Sequence, residues 1–137
     1  MSALVADASV VAKCILPESG SATAARLVGS ARPLLAPELV YYECTNVIWK
    51  AVHRGLSSHS GALTALGDLL SMSIQAVDVT QLAPTALSIA LAHNHPVYDC
   101  YYVAAAIQND AALATADERL YDLALRVGLG ERAILVR

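Results

Sequence analysis

VYDCYYVAAAIQNDAALATADERL, residues 97–120, changes its periodicity twice. From Tyr98 to Asn109 apolar residues recur at helical spacing, and Val103, Ala106 and Ile107 share a stripe with Asp99 at i+4, i+7 and i+8. Ala112 to Thr115 is a short apolar run of strand length, and from Asp117 to Val127 the helical pattern returns. A strand set between two helices with such short joints belongs in a parallel sheet, because parallel neighbours need a crossover and a helix is the usual one.

The rest of the chain repeats this alternation. Ala3 to Asp7 reads as a strand with a helix from about Ser9, and a second helix near Ser21 to Val28 ends at Gly29. Pro33 to Ala36 reads as a strand closed by Pro37, which opens a helix that stops at Gly55. A helix capped by Ser57 or Ser58 runs to about Leu70, Ser73 to Val79 alternates as a strand, and Thr80 to about Ala92 is helical. His93 to Pro96 is a break, and Ala133 to Val136 is a terminal strand. Strand, helix, strand with right-handed crossovers gives an α/β fold, a parallel sheet covered on both faces.

In such sheets ligands bind outside the carboxyl ends of the strands. Asp7 ends the first strand, and Asp117 follows the Ala112 to Thr115 strand by two residues, so both point to one rim. Asp99 starts a helix on its apolar stripe, and Glu43 lies at the edge of the stripe formed by Val40, Cys44, Val47, Ile48 and Ala51. Each acid also has an ordinary structural reading. Asp7 would cap the helix that follows it, Thr115 to Glu118 matches a capping box, Glu43 would pair with Lys50, and Asp99 would serve as an N-cap. Brought together, four carboxylates repel and must take up protons or a cation. Magnesium suits them, since it prefers a few carboxylates and keeps positions for phosphate oxygens, which points to metal-assisted hydrolysis of a phosphodiester.

Composition narrows the alternatives. At 137 residues and 56% hydrophobic, with no Phe, the chain is expected to form one domain whose core is Ala, Leu, Val and Ile. No apolar run reaches the length of a membrane span, so a cytoplasmic protein is expected. Cys14, Cys44 and Cys100 carry no disulfide or zinc spacing and read as buried free thiols. His53, His59, His93 and His95 show no ligand spacing, and His93 and His95 read as solvent-exposed loop residues. Twelve acidic residues face nine basic ones; with the four candidate acids set aside, the remainder carries +1, which neither marks nor excludes a nucleic-acid partner. A phosphoaspartyl transferase would want a carboxylate where Ser9 stands, and a receiver domain would want adjacent acids early in the chain.

VADASVVAKCILPE (5–18), APELVYYECTNVIWKAVHRG (36–55) and residues 97–120 together resemble the three motif blocks of PIN-domain ribonucleases, most closely the VapC-type toxins. The resemblance implies a three-layer α/β/α sandwich with a five-stranded parallel sheet, and a single PIN-like nuclease domain over 1–137. It implies an acidic quartet of Asp7, Glu43, Asp99 and Asp117, with Ser9, Lys13, Asn46 and Thr115 in supporting places. It further implies Mg²⁺ or Mn²⁺ dependence, endonucleolytic cleavage of RNA, a homodimer, and inhibition by a small VapB-like antitoxin whose arginine occupies the carboxylates. Candidate phosphate contacts are Lys13, Lys50, Arg54 and Arg119. The competing reading is a binding module that keeps the acids to dock a partner's arginine without cutting RNA.

Overall fold

The computed structural model describes residues 3–30 and 33–137. In chain order the elements are β1 (Leu4–Ala6), α1 (Ala8–Ile15), α2 (Ser21–Gly29), β2 (Leu34–Pro37), α3 (Leu39–His53), α4 (His59–Ser71), β3 (Ile74–Val77), α5 (Val79–His93), α6 (Val97–Gln108), β4 (Ala112–Thr115), α7 (Glu118–Arg126) and β5 (Ala133–Leu135), with a short 3-10 turn at Gly130–Arg132. All strand pairs are parallel and the order across the sheet is β3-β2-β1-β4-β5. The chain therefore moves outward from β1 to β3 on one side, then crosses back to β4 and β5 on the other. With right-handed crossovers this reversal puts the helices before β3 on one face and those after it on the other, and opens a crevice between the carboxyl ends of β1 and β4.

Packing agrees with that layering. α1 touches α2, α3 and α4 on one face, while α5 and α6 form a hairpin whose second helix lies across β2, β1 and β4. α7 covers β4 and β5 and shares a groove with the α5–α6 turn. The result is the α/β/α sandwich expected from the sequence. Ala104, Ala105 and Ala106 are fully buried. With only a methyl group each, they let α6 lie close to the central strands, where larger side chains would hold it off.

Local differences from the sequence reading have simple causes. β3 stops at Val77 rather than Val79 because the Asp78 carboxylate caps α5, accepting from the Thr80 amide at 3.0 Å and its hydroxyl at 2.9 Å. Pro37 belongs to β2, paired with Val77, and α3 starts two residues later. Ile107 is exposed rather than part of the buried stripe, whereas Val103 and Ala106 are buried. Gly20 has φ +85°, and a Cβ there would sit 2.9 Å from the carbonyl oxygen of Arg137, so both backbone and space require glycine. Among the described residues no helix is long and apolar enough to cross a membrane.

Leu113 is fully buried on β4, between β1 and β5. Leu113→Ala should lower the free energy of unfolding by about 2–5 kcal/mol. Urea denaturation followed by circular dichroism checks this, and a change under 1 kcal/mol would mean that the sheet does not pack as described.

Candidate active site

Asp7 leaves β1 as its strand ends and caps α1: its Oδ1 accepts from the Val10 amide at 3.1 Å. The same oxygen accepts from the Ser9 hydroxyl at 2.6 Å, and Oδ2 accepts from the Thr115 hydroxyl at 2.6 Å. Those hydroxyls in turn accept backbone N–H groups of the loop after β4, Ser9 from Ala116 at 2.8 Å and Thr115 from Asp117 at 3.0 Å. The capping role and the site role of Asp7 are therefore one arrangement. At 5% exposure its carboxyl is pushed up from 3.8 to about 6. Burial is the main cause, opposed by Ser9, Thr115 and the Val10 amide and reinforced by the charge of Asp99.

Glu43 arrives from α3 and Asp99 from the first turn of α6. Glu43 Oε1 accepts from the Tyr102 hydroxyl at 2.6 Å, a contact that ties the two helix layers together beyond the sheet edge. Burial raises the Glu43 carboxyl above its ordinary range, the Tyr102 bond lowers it, and Asp99 raises it again. Asp99 thus acts electrostatically on both other acids, which places the three in one field. Its own Oδ2 lies 2.8 Å from His95 Nε2.

The fourth acid stands apart. Asp117 is exposed and is itself the N-cap of α7, accepting from the Arg119 amide at 2.8 Å. The capping box anchored on Thr115 does not form, because that residue ends β4 and spends its hydroxyl on Asp7. Asp117 joins the cluster through its backbone N–H on Thr115 and lies at the rim. Lys13 turns away, donating to Glu18 Oε1 at 2.8 Å and to the Ser19 carbonyl at 2.6 Å. Asn46 is exposed one turn beyond Glu43, without a hydrogen bond to the acids, and Glu43 pairs with Tyr102 rather than with Lys50.

Two residues escaped the sequence reading. His95, expected in solvent, is only 8% exposed and holds Asp99; its signal was the i, i+4 spacing before that acid. Tyr102, 1% exposed, lies one helical turn after Asp99, and a tyrosine buried on a helix needs a partner for its hydroxyl. Of the cysteines, Cys44 and Cys100 are buried as expected while Cys14 is half-buried. Burial pushes the Cys44 thiol up to about 12 and the Cys100 thiol up to about 11, so neither is available as a thiolate nucleophile near neutral pH.

As placed, no three His, Cys, Asp or Glu side chains among the described residues form a ready ligand set. Each acid holds a protein donor instead. The chemistry of the set nevertheless fits a hard divalent cation, because it is all oxygen and the charge of Asp99 raises the proton affinity of both Asp7 and Glu43. Asp99, Glu43 and Asp117 each bond a protein partner through one carboxylate oxygen. Among the described residues no buried side-chain oxygen lacks a partner, so the unpaired oxygens of Glu43 and Asp99 touch solvent, as exposed Asp117 does.

The PIN domain family model matches residues 4–125. Ribonuclease VapC3 of Pyrobaculum aerophilum is 34% identical over 119 residues, covering 85% of this chain and 91% of that protein. Solved structures share the fold. PAE2754 of Pyrobaculum aerophilum superposes with a TM-score of 0.75 at 23% identity, over 98% of this chain and 84% of its own. VapC20 of Mycobacterium tuberculosis, described as a Sarcin-Ricin loop cleaving toxin, gives 0.68 at 19% identity, over 88% of this chain and 94% of its own.

Because the Asp7 carboxyl has a higher proton affinity in the folded state than its ordinary 3.8, the native state binds the extra proton between about pH 4 and 6. Its contribution is fully present below about 4 and is lost as pH rises through 6. At about 1.4 kcal/mol per pH unit the loss is on the order of 3 kcal/mol. Urea unfolding in EDTA at pH 4, 5 and 6.5 should show wild type losing stability relative to Asp7→Asn by that order; parallel curves would refute the shift.

Proposed function

This chain belongs to the PIN-domain family, on its VapC branch, and we propose that it is a divalent-metal-dependent endoribonuclease serving as the toxin of a toxin–antitoxin pair. One observation carries the chemical part of this reading: Asp7, Glu43 and Asp99 come from three elements into a single field at the carboxyl edge of the sheet. The span of the family match supports reading residues 1–137 as one nuclease domain, and the ribonuclease relative aligned over most of both chains supports RNA as the substrate.

Asp7, Glu43 and Asp99, with Asp117 at the rim, would hold Mg²⁺ or Mn²⁺. When bound, such an ion lowers the pKa of a water and draws charge from the phosphate. The protein's own part is orientation. Ser9 and Thr115 aim their hydroxyl hydrogens at Asp7 and fix its plane, Tyr102 fixes Glu43, and His95 fixes Asp99. No serine, cysteine or histidine nucleophile is needed.

In the partner reading, an antitoxin presents an arginine whose planar guanidinium pairs with these carboxylates and keeps the cation out. A homodimer and cytoplasmic action complete the proposal. A binding module without activity makes a different forecast: tight partner capture and no RNA cleavage in Mg²⁺.

The decisive experiment gives the partner-free chain a panel of structured RNAs with Mg²⁺ and with EDTA. Wild type should cut at least one RNA, and EDTA, Asp7→Asn or Asp99→Asn should each reduce cleavage to background with the fold retained by circular dichroism. Wild-type cleavage by either variant would sink the site assignment, and cleavage surviving EDTA would remove the metal.

Expression of the chain alone should arrest growth, and co-expression of a small antitoxin from the neighbouring gene should restore it. Harmless overexpression in the absence of any partner would overturn the toxin role while leaving the nuclease to the cleavage assay.

A further inference from the structure

An open groove of about 610 Å³ lies between the α5–α6 turn and α7, lined by His93, Asn94, His95, Arg119, Asp122 and Arg126. It adjoins the acids at two points. His95 forms part of its wall and bonds Asp99 at 2.8 Å, and the Arg119 amide is capped by Asp117 at 2.8 Å. Among the described residues only Nε2 of His95 has a protein partner and no buried side-chain nitrogen goes unpaired, so Nδ1 keeps contact with solvent.

The cations here are free. The four ion pairs of the described residues use Lys13, His95, Arg132 and Arg137, leaving Arg119 and Arg126 without an acidic partner. Both are exposed on α7. The other cations that the sequence offers for phosphate lie elsewhere. Lys13 is held by Glu18, while Lys50 and Arg54 line a separate groove with Pro17 and Glu18. A nucleic acid approaching carboxylates needs nearby positive charge to offset repulsion, and a guanidinium fork matches phosphate oxygens.

The geometry points to this groove as the seat of the RNA phosphate backbone on one side of the cleaved bond, held by Arg119 and Arg126, with His95 as the wall shared with Asp99. The assignment rests on the nuclease reading above. It makes α7 a substrate-binding element and gives the strand a direction of exit past Asp117.

The test is fluorescence anisotropy of a labelled single-stranded oligoribonucleotide of mixed sequence, titrated in EDTA across a range of salt, with Mg²⁺-dependent cleavage read in parallel. Arg119→Gln with Arg126→Gln should weaken binding about tenfold at low salt. It should also reduce the slope of log K against log salt by about 1.4, the contribution of two phosphate contacts to a single strand. Arg26→Gln with Arg132→Gln, on α2 and just before β5, removes the same net charge away from the groove and should bind as wild type does. Equal weakening by both pairs, an unchanged slope in the α7 pair, or no salt-dependent binding by wild type overturns the groove. Cleavage decides the nuclease reading separately: a wild type that cuts RNA, with an α7 pair that binds as tightly, keeps the nuclease and loses the groove.

Discussion

A carboxylate buried at the end of the central strand is the constraint on which the rest of this site depends. Left alone, an ionised Asp7 in apolar surroundings would be strongly unfavourable. The fold answers with three donors, one from the helix it caps and two hydroxyls that are themselves held by the loop after β4. Satisfying one acid thereby fixes the start of α1 against the start of α7. Burial still outweighs these donors, so the carboxyl keeps a raised proton affinity, the condition in which a cation can replace a proton.

Around that fixed point the two helix layers contribute unequally. α3 delivers Glu43 and α6 delivers Asp99, and the Tyr102 hydroxyl joins them across the end of the sheet. In Glu43, Asp99 and Asp117 the side-chain hydrogen bonds use one carboxylate oxygen, whereas both oxygens of Asp7 are engaged. Asp7 therefore anchors the site, and the remaining acids form its open side. The α5–α6 turn and α7 border that open side with the free cations, so negative and positive surfaces meet along His95 and Asp117.

Most of the architecture was legible because each boundary carries a local signal. Gly29 and Gly55 mark helix ends, Pro33 and Pro37 bracket β2, and short apolar runs alternate with helical periods. Where boundaries slipped, as at Asp78, a side-chain cap competed with strand pairing and won. The positions of Asp7, Glu43 and Asp99 at one edge also followed from strand ends and stripes. Lys13, given a supporting place by the family resemblance, is engaged by a carboxylate five residues on, a pairing that no periodicity signals.

The sequence by itself determined the order of strands and helices, the parallel sheet and which acids could reach its carboxyl edge, since periodicity and turn chemistry act over a few residues. Only the tertiary structure decided that Asp117 stands exposed while Asp7 is sealed, that His95 is buried against Asp99, and that Tyr102 spans 59 positions to Glu43. The physical reason is that burial and hydrogen-bond partners come from whichever elements close over a residue, and the crossover that brings β4 beside β1 joins parts of the chain that no local pattern connects.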